Sequence, residues 1–160
     1  MRTTRVSAFA LAFAAVVSGC GEKHAEAASE EKGHEAAEAP LSAFELENGI
    51  GPVKERVEAG PIDKALAERG KALFEAKCSM CHKMDTTYVG PSLGEVTRRR
   101  TPAYIMNMIL NPQEMVERHP VARKLLAERM SFMANQNLTV DEARAVVEYL
   151  RTQAKGTATP

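Results

Sequence analysis

Apolar side chains recur at helical spacing along most of the chain, with no convincing strand and no internal repeat. Leu66, Gly70, Leu73 and Phe74 share one face of a helix expected over residues 63–77, with Asp63 as its N-cap. Glycine inside a helix costs about 1 kcal/mol relative to alanine, so Gly70 predicts another helix crossing closely at that point. Toward the other end, Thr139-Val140-Asp141-Glu142 has the form of a capping box, and Ala143, Val146, Val147 and Leu150 follow it at helical spacing. The pattern therefore predicts a terminal pair of helices, with Gly70 and Phe74 against Tyr149 and Leu150. Between them, Thr101-Pro102 opens a helix to about Leu110, with Tyr104, Ile105, Met108 and Ile109 inward, and Asn111-Pro112 ends it. Short helices over 112–117 and 120–129 complete an all-α core region, the second carrying Val121, Leu125 and Leu126.

The flanks read differently. Arg2 and Arg5 precede an apolar run over 6–17 that is too short to span a bilayer comfortably, and small residues follow, so 1–19 reads as an export signal. Val17-Ser18-Gly19-Cys20 resembles the bacterial lipobox, which implies cleavage before Cys20 and its acylation. Several acyl chains there would anchor the protein stably, where a single chain binds only marginally. Residues 20–40 carry six acids and two lysines and no large apolar side chain, the composition of a solvated tether, and His24 and His34 within it read as solvated. Residues 41–62 mix Phe44, Leu46, Ile50 and Val53 with Gly49, Gly51, Pro52, Gly60 and Pro61, and are expected to be an extension packed on the domain. The domain itself is expected over 63–153, with 154–160 as a flexible tail.

The chemistry is concentrated in Cys78-Ser79-Met80-Cys81-His82. C-x-x-C-H is the attachment sequence of a c-type haem, in which two thiols bond the haem vinyl groups and the histidine stands over one face of the iron. Zinc and a thioredoxin-like redox pair are the competing readings of C-x-x-C. Zinc would ask for a second Cys or His pair, and His119 is the only histidine downstream; a thioredoxin-like site would ask for a preceding strand, and the preceding stretch is helical. The three cysteines then divide into one for lipid and two for haem, leaving none for a disulfide. A chain of 160 residues without Trp and only 5% aromatic is short of large rings for a core, and a buried porphyrin would supply that bulk. Basic and acidic residues balance at 21 each, which argues against a nucleic-acid binder.

A helix with Gly70 and Phe74, then the C-S-M-C-H segment, Gly90-Pro91-Ser92-Leu93, a methionine-bearing loop and a capped helix ending Val147-Glu148-Tyr149-Leu150 together resemble a class I mono-haem cytochrome c. The resemblance implies an all-α fold around one covalent haem, with His82 as proximal axial ligand and the Pro91 carbonyl accepting a hydrogen bond from its other ring nitrogen. Among eight methionines, Met80 lies inside the attachment motif, and Met106, Met108 and Met115 lie in helices where methionine is commonly core filler. Met133 is the favoured sixth ligand, because residues 132–138 resemble the family's ligand loop; Met130 and His119 are the alternatives. His119, before Pro120, is otherwise expected to be an exposed residue at a helix start.

These readings imply a one-electron carrier rather than an enzyme, lipid-anchored on the periplasmic side of a bacterial membrane and serving redox partner proteins in a respiratory chain. Arg98, Arg99 and Arg100 are candidates either for partner docking or for a solvated turn touching a haem propionate. A haem enzyme or gas sensor with an open sixth position, and a cytochrome subunit docked permanently on a larger oxidoreductase through 41–60, are the alternatives. Residues 47–52 and 109–115 are similar to those of lipoprotein cytochromes linked to nitrous-oxide reduction.

Overall fold

The computed structural model describes residues 39–155, and among them seven helices and no strand. The signal stretch 1–19, Cys20, the tether as far as 38 and the tail over 156–160 lie outside the described residues. The helices are α1 (Ala43–Asn48), α2 (Lys64–Lys77), α3 (Val96–Arg99), α4 (Pro102–Leu110), α5 (Pro112–Arg118), α6 (Pro120–Arg129) and α7 (Val140–Gln153). None of the described helices is long and apolar enough to cross a membrane.

The caps lie where the sequence puts them. Asp63 accepts from Leu66 N–H at the start of α2, Thr101 does the same for Tyr104 in α4, and Thr139 and Glu142 close a reciprocal capping box on α7. On α2 the buried stripe is Ala67, Gly70 and Phe74, with Leu66 and Leu73 only partly covered, so its centre lies one residue beyond Leu66. It packs on α7, which buries Ala145, Val146, Val147 and Leu150 and makes with α2 the most extensive helix pairing of the fold. A side chain at Gly70 would overlap the Ala145 carbonyl, and Phe74 and Tyr149 stack with ring centroids 5.4 Å apart. Each large apolar side chain buried at this seam contributes about 1.5–3 kcal/mol. One charge pair is buried with them: Glu148 accepts from Asp63 N–H at 2.8 Å and pairs with Arg151 at 2.8 Å, tying α7 to the start of α2.

Residues 41–60 lie against α4 and α5 and contain a helix, α1, that the glycines and prolines of this stretch concealed. Its own signal is the capping box Ser42-x-x-Glu45. The attachment is polar as well as apolar. Asn107 on α4, fully buried, donates to the carbonyls of Asn48 and Val53, each at 3.0 Å, and accepts from Val53 N–H at 2.9 Å. Beside it, Met115 sulfur accepts from Ile50 N–H.

His119 is not the exposed residue expected. It is 1% exposed and caps α6 with Nδ1, which accepts from Val121 N–H at 3.2 Å, while Nε2 donates to the Leu46 carbonyl at 3.2 Å. The reason is that Pro120 occupies the first turn of α6 and α1 supplies an acceptor from a distant part of the chain. Burial holds this imidazole below its ordinary pKa of 6.5, and so neutral, consistent with one ring nitrogen accepting and the other donating. Tyr104 meets its ring edge-on at 5.2 Å.

The tightness of the α2–α7 crossing gives a direct test. Gly70→Ala improves helix propensity but introduces the overlap with Ala145, and is expected to lower stability by about 2–3 kcal/mol. The change should show as a lower urea midpoint at unchanged slope. A midpoint at or above that of the wild type would mean the crossing has room to spare.

Candidate functional site

The attachment segment is formed where α2 ends. Cys78 and Ser79 N–H both bond the Phe74 carbonyl, and Cys81 and His82 N–H both bond the Cys78 carbonyl, so the chain winds one tight turn that gathers the two thiols and the imidazole. Cys78 is buried and Cys81 exposed. Burial pushes the Cys78 thiol up to about 11, with the neighbouring Cys81 adding to the shift. A thiol held protonated in this way is a poor redox nucleophile. Among the described residues, no group of three or more His, Cys, Asp and Glu side chains could hold a metal ion, so the zinc reading has no donor set.

The segment over 90–94 runs back along the motif. Gly90 N–H bonds the Cys81 carbonyl, Leu93 that of Lys83, and Gly94 that of Met84, each at 2.9 Å. This brings the Pro91 carbonyl to 2.9 Å from His82 Nδ1, which donates to it. Nε2 is thereby left as the ring nitrogen with a free lone pair. Gly90 is required here because a Cβ would overlap the imidazole itself.

Cys78, Cys81 and His82 form part of the lining of a cavity of about 330 Å³. Its walls are mainly apolar and include Leu93, Ile105, Ile109, Leu126 and Leu150. Met133 lines the same cavity, whereas Met130 is 91% exposed at the left-handed end of α6 and does not line it. His119 also lies outside it, with both ring nitrogens engaged elsewhere. Met108, expected to be core filler, lines the cavity from α4, four residues from Tyr104 on the same helical face. Met80 points to solvent and Met106 and Met115 are buried away from the cavity.

The three consecutive arginines do not act together. Arg98 reaches the Lys155 carbonyl, Arg99 donates to the Ser92 carbonyl at 3.1 Å, and Arg100 lies 5.1 Å over the Tyr104 ring. Arg99 and Arg100, with Lys77 and Arg129, line the cavity, and among the described residues no Asp or Glu does. Tyr104 also lines the cavity, and its hydroxyl is fully buried without a hydrogen-bond partner among the described residues. Two thiols, a free imidazole nitrogen, a thioether, apolar walls and cationic groups fit a flat apolar macrocycle that carries iron and two carboxylates. The residues present therefore fit haem.

Comparisons with known proteins agree with that chemistry. A family model described as "Cytochrome c" matches residues 67–154. The cytochrome c-553-like protein of Synechocystis sp. is 36% identical over 67 residues, 34% of this chain, and the matched chain spans 64% of that relative's length. Photosystem II extrinsic protein V of Aphanothece halophytica is 29% identical over 134 residues, covering 72% of this chain and 78% of that one. Among solved structures, a cytochrome c from Rhodothermus marinus is 44% identical with a TM-score of 0.66, covering 71% of this chain and 98% of its own.

Proposed function

The chain belongs to the cytochrome c family, whose members bind one covalent haem c, and on that premise we propose that it is a one-electron carrier with His82 and Met133 as axial ligands. The observation that supports this reading is an apolar cavity that both His82 and Met133 line, with the two thiols beside them. Bound haem supplies the one-electron iron couple. The chain supplies the rest. Pro91 fixes the His82 ring and strengthens it as a donor, and a thioether from Met133 favours ferrous iron and raises the potential. The apolar walls would keep water from the iron, while Arg99 and Arg100, which line the cavity, would offer donors to the carboxylates. With His82 and Met133 both binding the iron, no position would be left for a substrate, as suits a carrier rather than an enzyme.

The reading extends to location. Residues 1–19 direct export, Cys20 is acylated, and the tether over 20–40 holds the haem domain on the periplasmic side of a bacterial membrane. Tethering raises the effective concentration of the carrier near membrane-bound redox partners of a respiratory chain. The similarity of residues 47–52 and 109–115 to lipoprotein cytochromes linked to nitrous-oxide reduction supports a place in that pathway. The match to a protein named as an extrinsic component of photosystem II favours a second reading, a haem subunit docked on a larger assembly. Against docking through 41–60 stands the burial of Asn48, Ile50 and Val53 within this chain's own domain.

Voltammetry of the haem-loaded protein is expected to give one reversible one-electron wave. Met133→Ala should lower its potential by on the order of 100 mV or more, and Met130→Ala should leave it nearly unchanged. The reverse pattern would move the ligand to Met130. In cells, Cys20→Ala should abolish labelling by fatty acid and release the domain from membranes; a variant still labelled and still bound would remove this anchor from the account.

A further inference from the structure

Met133 lies between α6 and α7 on a segment with little to fix it. Its ends turn through two left-handed residues, Met130 at φ 51° and Asn137 at φ 54°. Met133 and Leu138 pack on the core, but three of the four residues between them are exposed. Among the described residues, one hydrogen bond joins 131–138 to another element: Asn135 Nδ2 donates to the Leu110 carbonyl at 3.1 Å. Leu110 is the last residue of α4, where the helix has run out of N–H partners for its carbonyls. The same side chain turns inward on the loop, because Asn135 Oδ1 accepts from Asn137 N–H at 2.8 Å.

One amide thus makes two different connections. Its nitrogen fastens the loop to α4, the helix that carries Ile105, Met108 and Ile109 on the cavity wall. Its oxygen stabilises the left-handed turn that leads back to α7. We propose that Asn135 is a positioning residue for the sixth ligand: its bridge between the Leu110 carbonyl and the Asn137 amide holds Met133 at the cavity and sets how readily an external ligand displaces it. This inference rests on the assignment of Met133 as the axial ligand. His82 is fixed through a ring hydrogen bond and several backbone bonds, so the two sides of the iron site differ in rigidity, and displacement is expected on the Met133 side.

The test uses haem-loaded ferric protein, with imidazole as the incoming ligand and the weak red absorption band of thioether-bound ferric haem as the reporter. Asn135→Asp keeps the acceptor for Asn137 but cannot donate to Leu110. Because the bond is exposed and water competes for it, this variant should retain the band and bind imidazole about three- to fivefold faster than wild type. Asn135→Ala should be at least as fast, which separates loss of the bond from the added charge. Asn137→Gly keeps the backbone donor and suits a left-handed φ, so it should match wild type. Wild-type binding rates in both Asn135 variants, with the band lost in Met133→Ala, would overturn the positioning role alone. Persistence of the band in Met133→Ala would overturn the ligand assignment, and the inference with it.

Discussion

The close crossing of α2 and α7 at Gly70 is the constraint on which the rest depends. No side chain fits between this residue and the Ala145 carbonyl, so the two helices meet at backbone distance. The consequence reaches the site through both helices. α2 ends at the turn that presents Cys78, Cys81 and His82, and α7 brings Val146 and Leu150 to the same cavity. Phe74, one turn beyond Gly70, fills the space between them and also lines the cavity. A wider crossing would move the attachment turn away from the wall that must cover the macrocycle.

The two proposed ligands, His82 and Met133, are held by different means. On the His82 side, backbone bonds from 90–94 to 81–84 and the Pro91 carbonyl leave the imidazole one orientation. On the Met133 side, apolar packing and one side-chain bridge do the work. This asymmetry is what the proposed carrier would require, with one ligand next to its covalent attachment and the other drawn from a distant segment. The cations around the cavity, with no acid lining it among the described residues, suit a buried group that brings its own carboxylates.

Much of this was legible in the sequence because the signals are local. Caps at Asp63, Thr101 and Thr139, proline at the start of α4, α5 and α6, and the C-x-x-C-H motif each fix structure within a few residues. Gly70 conveyed a long-range contact, since an interior helical glycine needs a packing reason. What the sequence concealed depends on partners far along the chain. His119 is buried because Leu46, 73 residues away, supplies an acceptor, and Asn107 reads as an ordinary polar residue until its carbonyl partners over 48–53 are seen. Three adjacent arginines look like one patch, yet the short helix α3 and its exit send them to three different partners. Of the overlooked elements, α1 alone had a local signal, the Ser42-Glu45 box.

The central claim is that protein ligands fill both axial positions of the iron, which makes the molecule a carrier. The measurement that tests it most directly is the absorption spectrum of the reduced, haem-loaded protein before and after addition of carbon monoxide. An unchanged low-spin spectrum is the expected result. A prompt shift would show an open or easily opened iron position, contradict the carrier account and favour a haem enzyme or gas sensor.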